Sequence, residues 1–474
     1  MAKMLERIYD WAPVRSQNWM VSIQGRLWAR RRYNKAFRRY FSALMSSQWL
    51  SGEEFCRLQT ERLRGLVHEA IQNVPYYRAS LRSFEGKVHR LELSDLPSFP
   101  TVDKNVMRSR LPDFLNHSRL KYGYAEGHTS GTSGAPMVWP YDWDSYRMTF
   151  ALRARQYYWA GFTGKEVSVR FSGRTLLGRR KSGPPFGRYN SAEKQWLFSS
   201  YHMTPETLPR YYDEMCVLQP AYVDGYPSAL FALAKWINAN VTDRVLRPWA
   251  IIATAETLED FQREEIERAF ACRVYDYYSS SEGAPFITQC QAGGKHINPE
   301  SGLVEFLRDD GRSCEPDEPG EVVVTSFFQR SLPLIRYRIG DRGVASPEQC
   351  PCGRQMPLIR RILGREDDVL YSSERGEVGS AGVSTALYKL HGRMKETQIR
   401  QTHLDEYLVR YVPDGADLSD EEADTLLAEL RARLGSVARI EVRKVEEIEK
   451  SARGKTRLVI GLPKEQRPKI MSSD

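Results

Sequence analysis

Helical and strand-like patterns alternate along most of this chain, and that alternation limits its fold more than any other feature. Apolar residues recur at helical spacing in "SGEEFCRLQTERLRGLVHEAIQNV", a helix that begins near Ser51 and that "PYY" is expected to end. Further on, the helical "FQREEIERAF" is followed by the strand-like "CRVYDYYSS", and "EVVVTSF" precedes a loop and "LIRYRIGD". These patterns predict a large mixed α/β body.

The pattern changes after "RRILGREDDVL", where strand-like "EYLVRYV" and "ARIEVRKV" flank the helical "SDEEADTLLAELRARLG". Ser419 and Glu422 have the spacing of a capping box, and Gly435 follows the helix. A compact α/β C-terminal domain is therefore predicted. We divide the chain into an N-terminal arm (residues 1–50), a large α/β domain (51–363) and a small α/β domain (364–474).

Length and composition predict a cytoplasmic globular protein. The 474 residues, 41% of them hydrophobic, can bury the cores of two or three domains. The sequence contains neither a signal-peptide pattern nor an apolar run of about 18 residues, the length that a membrane-spanning helix needs. The seven cysteines include Cys350 and Cys352 in "CPCGR", a spacing that favours a metal site over a disulfide.

The N-terminal arm is strongly basic. The chain has a net charge of +9, and no Asp or Glu occurs between Asp10 and Glu53. Within the arm, "RLWARRRYNKAFRRY" places seven cations among the aromatic residues Trp28, Tyr33, Phe37 and Tyr40. The arm could contact an anionic membrane or an acidic partner, or it could be a solvated helix whose aromatic residues pack on the body. Nucleic-acid binding is not expected, because no recognition motif accompanies the charge.

The stretch "GHTSGTSGAPMVWP", from Gly127 to Pro140, is rich in glycine and hydroxyl residues. Such a loop can direct several N–H and O–H groups at one anion, as phosphate-binding loops do. No lysine follows its last glycine, so it is not the G-x-x-x-x-G-K-[ST] loop. The alternative is a flexible Ser/Gly linker.

Five motifs occur in a fixed order: "TSGTSGAP" (129–136), "DYYSSSE" (276–282), "RYRIGD" (336–341), "LGREDD" (363–368) and "RGK" (453–455). Together they resemble the adenylate-forming superfamily. The similarity is greatest to its phenylacetate–CoA ligase-like branch, which includes capsule-associated CapK proteins and coenzyme F390 synthetases. It extends from about residue 50 to residue 465.

The resemblance implies that a carboxylate attacks the α-phosphate of ATP, which gives an acyl-adenylate and pyrophosphate. The loop residues implied to bind the β- and γ-phosphates are Thr129, Ser130, Gly131, Thr132, Ser133 and Gly134. Glu282 would bind the Mg²⁺ that bridges the phosphates, and Tyr278 would lie against the adenine.

The remaining implied residues act on the ribose and the α-phosphate. Asp341 would accept hydrogen bonds from both ribose hydroxyls, and Arg365 would reach the ribose or the α-phosphate. Lys455, on a mobile C-terminal domain, would bridge the attacking carboxylate and the α-phosphate and then move away with that domain. Asp367 or Asp368 would lie near the hinge.

A zinc site is a further expectation. Cys290 and His296 in "CQAGGKH", with Cys350 and Cys352, offer four ligands from two loops. Such a set would complete a tetrahedral structural Zn²⁺ site, because it leaves no position open for substrate. Ordinary buried or free thiols are the alternative, and Cys314 is a reserve ligand.

The leading functional interpretation is an ATP-dependent acid–thiol ligase, with coenzyme A as the first candidate for the thiol and the phosphopantetheine of an acyl carrier protein as the second. The alternatives are an AMP transferase of the F390 synthetase type and a non-catalytic scaffold in cell-surface polysaccharide synthesis. A scaffold would have no use for Glu282, Asp341, Arg365 and Lys455 together. The segments 223–230 and 253–259 are expected to line the acyl pocket, where Tyr222, Tyr226 and Pro227 suggest an apolar or aromatic acid.

Two departures from the family pattern concern the phosphate loop and the hinge. The loop ends in "GAPMV", without the basic residue that many relatives place beside the proline. After "GREDDVL", the segment "YSSERGEVGSAGVSTALYKLHG" replaces the usual hinge strand. The thiol-transfer face of the C-terminal domain is therefore the part that the resemblance describes least.

Overall fold

Helices and strands alternate through the body, so the predicted mixed α/β fold class is confirmed. The computed structural model describes residues 8–128, 138–172, 177, 183–200, 202–204, 206–280, 282–365, 368–374, 376–378, 383, 386–387, 393–449 and 457–468. Among the helices in these ranges, none combines the length and the apolar character that crossing a bilayer requires.

Along the chain, helices occur before, between and after the strands. They are α1 (Val14–Arg32), α2 (Lys35–Ser47), α3 (Gly52–Asn73), α4 (Pro75–Ser80), α5 (Lys104–Ser109), α6 (Leu111–Phe114), α7 (His117–Leu120), α8 (Trp143–Trp159), α9 (Leu208–Leu218), α10 (Pro227–Asn240), α11 (Asp260–Phe270) and α12 (Asp420–Leu434). Short 3-10 helices span Arg82–Arg90, Leu93–Ser98 and Lys464–Gln466.

In the described part of the chain, the strands belong to one large sheet and three smaller ones. They are β1 (Tyr124–His128), β2 (Val138–Asp142), β3 (Ser168–Ser172), β4 (Gly187–Asn190), β5 (Gln195–Ser199), β6 (Tyr222–Gly225), β7 (Ala250–Thr254), β8 (Arg273–Ser279), β9 (Phe286–Gln289), β10 (Lys295–Ile297), β11 (Gly302–Leu307), β12 (Pro319–Ser326), β13 (Tyr337–Ser346), β14 (Leu358–Arg365), β15 (Leu370–Ser372), β16 (Gly376–Val378), β17 (Met394–His403), β18 (Glu406–Pro413), β19 (Arg439–Lys444) and β20 (Val459–Ile460).

The large sheet forms the centre of the body. Over the described residues it has twelve strands, in the order β11-β12-β13-β14-β10-β9-β8-β7-β6-β3-β5-β4. Strands β5, β3, β6, β7 and β8 are parallel neighbours, whereas the strands from β9 to β11 pair antiparallel. Helices α10 and α11 cover the parallel half with buried side chains such as Leu230, Leu233 and Ile266. The parallel strands are therefore covered by helices, as parallel sheets generally are.

Helix α3 forms where the apolar spacing predicts it. Ser51 and Glu54 complete a capping box at its start, and Phe55, Leu63 and Leu66 are buried. As predicted, this helix ends just before "PYY", at Asn73. Val74 is extended, with φ −120° and ψ 113°, and the next helix begins at Pro75. A proline disfavours helical backbone at the residue before it but suits the first turn of a new helix.

The C-terminal segment contains a separate small sheet with its own core. Within its described part, four strands lie in the order β19-β18-β17-β20, and α12 packs on them through Leu426, Leu430 and Leu434. The Ser419–Glu422 capping box is present. Gly435 ends the helix with φ +99°, a conformation that favours glycine.

The arm packs on the body through the aromatic residues of its basic stretch. Trp28 lies 5.9 Å from Tyr146 between ring centres, and Tyr33 meets Phe150 edge to face at 6.2 Å. Phe37 and Tyr40 contact a cluster that includes core residues of the large sheet. For the four aromatic side chains of that stretch, the packing alternative therefore describes the structure.

A buried ion pair links the arm to the body. Arg155 on α8 and Glu300 are 0% and 1% exposed, and Arg155 Nη1 lies 2.6 Å from Glu300 Oε1. Arg155 also donates to the carbonyl oxygen of Leu44 at 3.0 Å, and the Ser47 hydroxyl donates to Glu300 at 2.5 Å. Burial acts to raise the pKa of Glu300, but the charge and hydrogen bonds of Arg155 and the hydrogen bond from Ser47 hold it below its ordinary value of 4.5.

We expect Glu300→Ala to lower the free energy of unfolding by about 3–5 kcal/mol, because it leaves the Arg155 guanidinium buried without its counter-charge. Asp113→Ala removes an ion pair with Arg110 in which the Arg110 and Asp113 side chains are 52% and 42% exposed. This variant should lower the free energy of unfolding by about 1 kcal/mol or less. Denaturant titration measures both changes. Because the folded pKa of Glu300 is lowered, its contribution is complete above pH 4.5 and is lost as the pH falls through the folded value. Equal costs for the two variants would contradict this assignment.

Candidate nucleotide site and metal-ligand cluster

Strands β1 and β2 flank the glycine-rich stretch and pair antiparallel, with Gly127 opposite Trp139 and Ala125 opposite Tyr141. The predicted phosphate-binding residues Thr129 to Gly134 lie outside the described residues. Gly127 is required here, because a Cβ atom on it would stand 2.4 Å from a ring atom of Tyr141. The tyrosine ring therefore crosses the strand next to it.

Tyr141 brings the end of β2 beside the predicted magnesium ligand. Glu282 is 7% exposed, and a Cβ atom built on its neighbour Gly283 would lie 3.6 Å from the Tyr141 ring. Burial and the charge of Glu282 raise the pKa of the Tyr141 hydroxyl. The strand that follows the glycine-rich stretch thus reaches the glutamate. Sequence reasoning missed Tyr141, because nothing in the local pattern marks a contact across 141 positions.

Tyr278 and Asp341, predicted to contact the adenine and the ribose, are brought together directly. The Tyr278 hydroxyl donates a hydrogen bond to Asp341 Oδ2. Their strands, β8 and β13, are four places apart in the sheet, which would separate them by about 19 Å if the sheet were flat. The sheet must therefore curve strongly between them, and the short β10, paired with β14 at two positions, lies in the curved part.

The backbone of Arg365 lies opposite Asp341 in the β13–β14 ladder. Its side chain is outside the described residues. The two arginines of "RYRIGD" have structural roles. Arg336 is 4% exposed and pairs with Glu305 at 2.9 Å, and Arg338 pairs with Glu321 at 3.3 Å. The aspartate of that motif accepts the hydrogen bond from the Tyr278 hydroxyl.

The segment just after the predicted lysine is tied to the junction between the two sheets. Arg457 donates from Nε and Nη2 to Asp368 Oδ1, at 2.9 and 2.5 Å. Lys455 and Asp367 lie outside the described residues. Asp368 follows β14 by three positions, so this ion pair fixes the chain two residues after Lys455 close to the end of the large sheet.

The predicted acyl-pocket region contains charged groups that the sequence analysis did not recognise. Asp224 in β6 is fully buried and pairs with Arg153 at 2.8 Å and with Arg170 at 2.5 Å. The ring centre of Tyr222 lies 4.4 Å from that of Phe162, so Tyr222 contributes to packing. The two arginines share one carboxylate.

The four predicted zinc ligands converge on one point. One ligand atom from each of Cys290, His296, Cys350 and Cys352 lies within 4.8 Å of all the others. Cys290 Sγ is 3.5 Å from Cys350 Sγ, and Cys352 Sγ is 3.4 Å from His296 Nε2. Ligands around one tetrahedral zinc ion are separated by about 3.5–3.8 Å. The donor set and the spacing therefore both fit zinc.

Glycine makes this convergence possible. Cys290 and His296 enclose a turn in which the Cys290 amide donates to the Gly294 carbonyl oxygen at 3.0 Å. A Cβ atom on Gly294 would stand 2.5 Å from Cys350 Sγ, so only glycine admits the second loop. The reserve ligand Cys314 is not in the cluster; its thiol lies 3.6 Å from the Pro319 carbonyl oxygen.

The cluster is chemically suited to a soft cation. Burial lowers the pKa of His296 to about 4, so the imidazole is neutral and able to ligate at pH 7. Burial raises the pKa of the Cys290 thiol to about 12. Burial also acts to raise the pKa of Cys352, but hydrogen bonds from Arg354 and the neighbouring thiols lower it. A bound cation would favour the thiolate form of all three cysteines.

The C-terminal segment and the whole chain both have relatives. Residues 370–461 match the family model of the CapK C-terminal domain. The chain is 29% identical over 465 residues to Protein CapK of Staphylococcus aureus, which covers 96% of this chain and 99% of that protein. It is 27% identical over 338 residues to the phenylacetate-coenzyme A ligase of Thermus thermophilus, which covers 68% of this chain and 72% of that enzyme.

Among solved structures, the chain is similar to 2-hydroxyisobutyryl-CoA ligase in the postadenylation state. The TM-score is 0.69 at 20% sequence identity, over 89% of this chain and 92% of that one. The shared fold, the CapK match and the phenylacetate-coenzyme A ligase matches agree with one another. The C-terminal segment therefore matches the CapK C-terminal domain family, and the whole chain is similar to the phenylacetate–CoA ligase-like branch of the adenylate-forming superfamily, which includes CapK.

Proposed function

We propose that this chain is an ATP-dependent acid–thiol ligase that activates a small carboxylic acid as an acyl-adenylate and transfers the acyl group to a thiol. The observation that carries the proposal is the hydrogen bond between Tyr278 and Asp341, which joins two distant motifs in one site. The relatives that are named as phenylacetate-coenzyme A ligases, and the fold shared with a CoA ligase, support it.

The nucleotide would lie where β8 and β13 meet. The Tyr278 hydroxyl donates to Oδ2 of Asp341, and a carboxylate can accept several hydrogen bonds at once, so the same group can also accept from ribose hydroxyls. A donor to a carboxylate also fixes its orientation, so the ribose would meet a group that is already positioned. Glu282 would hold Mg²⁺, because an ionised and nearly buried carboxylate is stabilised by a nearby cation.

In the first half-reaction, an oxygen of the substrate carboxylate forms a bond to the α-phosphorus, and the bond between that phosphorus and the bridging oxygen of pyrophosphate breaks. Two anions approach each other in this step, so a cation between them lowers the barrier. We assign that role to Lys455, carried on the segment that Arg457 ties to Asp368. Arg365 would contact the ribose or the α-phosphate.

In the second half-reaction, a thiolate forms a bond to the acyl carbon, and AMP leaves with the electrons of the broken acyl–oxygen bond. Coenzyme A is the proposed acceptor, supported by the names of the relatives. The phosphopantetheine of an acyl carrier protein offers the same thiol. If AMP were instead passed to an acceptor hydroxyl, as in coenzyme F390 synthetases, no thioester would form.

The test is exchange of labelled pyrophosphate into ATP across a panel of aryl, fatty and amino acids. We expect exchange that depends on the acid, because acyl-adenylate formation is reversible. Asp341→Ala should raise the KM for ATP by about 10- to 100-fold, the equivalent of losing hydrogen bonds to a charged group. Asp113→Ala is the matched control, since that carboxylate, in α6, is 42% exposed and pairs with Arg110, which is itself exposed.

Two outcomes would contradict the proposal. AMP incorporation into a non-carboxylate acceptor, without acid-dependent exchange, would indicate the AMP transferase. Absence of both activities, with ATP binding unaltered by Asp341→Ala, would indicate a scaffold.

We also propose that Cys290, His296, Cys350 and Cys352 hold one structural zinc ion. When bound, zinc would cross-link the turn between β9 and β10 to the loop before β14. The cluster has no thiol or imidazole left to act on substrate, so its contribution is to stability.

A further inference from the structure

Helix α1 packs on the body through a side whose fully buried residues are polar, with Trp28 near its end as an aromatic contact. Its buried residues are Gln17, 0% exposed, and Ser22, 8% exposed. A helix on a globular domain usually buries an apolar stripe and exposes a polar one. The arrangement of α1 needs two explanations: what the polar side binds, and what covers the other side.

The polar side satisfies the edge of the large sheet. Strand β4 is the last strand of that sheet, and among the described residues no strand pairs with the amide and carbonyl groups on its outer side. The Tyr189 amide donates to Asn18 Oδ1 at 3.0 Å, and the Ser22 hydroxyl donates to the Tyr189 carbonyl oxygen at 3.1 Å. Arg188 Nε donates to Gln17 Oε1 at 2.6 Å. Polar residues on α1 are therefore used to cap a strand edge.

The opposite side of α1 is apolar and faces solvent. Trp19, Ile23 and Leu27 recur every four residues and are 67%, 36% and 57% exposed. Just before the helix, Trp11 is 90% exposed and Ile8 is 50% exposed. Residues four apart lie on one side of a helix, so Trp19, Ile23 and Leu27 form a single apolar ridge, and Ile8 and Trp11 add exposed apolar surface just before it. Contiguous exposed apolar surface of this kind marks an interaction site.

Cations line the same side of the helix. Arg15, Arg26 and Arg30 are exposed and share the helical face of Trp19 and Ile23. No acidic residue occurs between Asp10 and Glu53 to neutralise them. By contrast, Arg31 and Arg32 lie over the rings of Trp143 and Phe150 and belong to the packing on the body.

We propose that this outer face of α1, with Ile8 and Trp11, docks on an anionic lipid bilayer. Tryptophan rings favour the boundary between lipid headgroups and acyl chains, and arginine can bury its stem while its guanidinium contacts phosphate. A basic and apolar helical face is the surface that binds such membranes in the plane of the interface. The polar contacts to β4 hold the helix in place, so docking would not require the arm to unfold.

The test is co-sedimentation of the full chain with vesicles of phosphatidylglycerol and phosphatidylcholine in equal parts. We expect the chain to bind these vesicles and to bind vesicles of phosphatidylcholine alone more weakly. Binding to the mixed vesicles should also weaken in about 1 M salt, where the Debye length is about 3 Å. Replacing Trp19, Ile23 and Leu27 together with serine should weaken binding by about tenfold or more. Val217→Ser with Val245→Ser, which removes side chains that are 84% and 60% exposed elsewhere, is the matched control.

A second variant locates the contact independently of folding. Lipids with brominated acyl chains should quench tryptophan fluorescence on binding, and Trp19→Phe should bind equally while losing part of that quenching. Because the face lies apart from the proposed nucleotide site, the triple serine variant should retain wild-type pyrophosphate exchange in solution.

Three outcomes would overturn the proposal. They are absence of sedimentation with the anionic vesicles, sedimentation unaffected by the triple substitution, and self-association that the triple substitution abolishes in a chain that does not bind vesicles. The last would assign the face to a second copy of the chain.

Discussion

Replacing Lys455 with alanine is expected to abolish acid-dependent pyrophosphate exchange while leaving thiolysis of a supplied acyl-adenylate largely intact. The lysine would neutralise charge only while the carboxylate approaches the α-phosphate. Losing one such group at a transferring centre costs about 100- to 1000-fold in rate. The second half-reaction starts from an acyl-adenylate that is already formed, so it does not need that cation.

The two half-reactions can be measured separately on one protein. Exchange reports the first, and release of AMP from synthetic acyl-adenylate in the presence of coenzyme A reports the second. Lys444→Ala provides the control, because Lys444 is an exposed lysine of the same domain, paired with Asp417. If Lys455→Ala slowed both half-reactions equally, the assigned role would be wrong.

Disruption of the Cys/His cluster is the second large effect that we expect. Protein purified without a histidine tag should contain about one zinc ion per chain, and Cys352→Ser should contain almost none. Structural zinc sites supply about 10 kcal/mol or more of binding free energy, so their loss is also a loss of folding free energy. The variant should therefore unfold at a clearly lower Tm than the wild type.

Cys56→Ser separates loss of the metal from loss of a cysteine. Cys56 is exposed and lies outside the cluster, so this variant should keep the zinc and the wild-type Tm. Chelation of the wild-type protein should lower its Tm toward that of Cys352→Ser. A zinc content near zero in wild-type protein grown with added zinc would remove the site.

Elements with strong local signals were predictable from the sequence. Apolar spacing and a capping box determine α3. The start of α12 is marked by the capping box of Ser419 and Glu422, and its end is marked by Gly435. The four cluster ligands were also identifiable, because cysteine and histidine at short spacing have few other uses. Their convergence could only be hypothesised, since it depends on two loops that are far apart in the chain.

The site depends on contacts that no local pattern encodes. Tyr278 reaches Asp341 because the large sheet curves between β8 and β13, and curvature is a property of the assembled sheet. The resemblance to a known family named both residues but did not supply that contact. Tyr141 and the pairing of Asp224 with Arg153 and Arg170 were missed for the same reason.

The arm shows where periodicity alone misleads. Composition drew attention to the basic stretch from Arg26 to Tyr40, whose aromatic residues pack on the body. The exposed apolar ridge runs through Trp19, Ile23 and Leu27. A periodic pattern identifies the apolar side of a helix but not its orientation. Here the polar side faces inward, because it satisfies the main chain of Tyr189.

In this orientation α1 covers the edge strand β4 and so protects the large sheet from edge-to-edge aggregation. A bare β4 would present the free amide and carbonyl of Tyr189 at the end of a long sheet, where another chain could add as a further strand. Deleting the arm to obtain a better-behaved protein would uncover that edge. Serine at Trp19, Ile23 and Leu27 removes the apolar surface and leaves the edge protected, so it is the sounder route to a chain that stays monodisperse at high concentration.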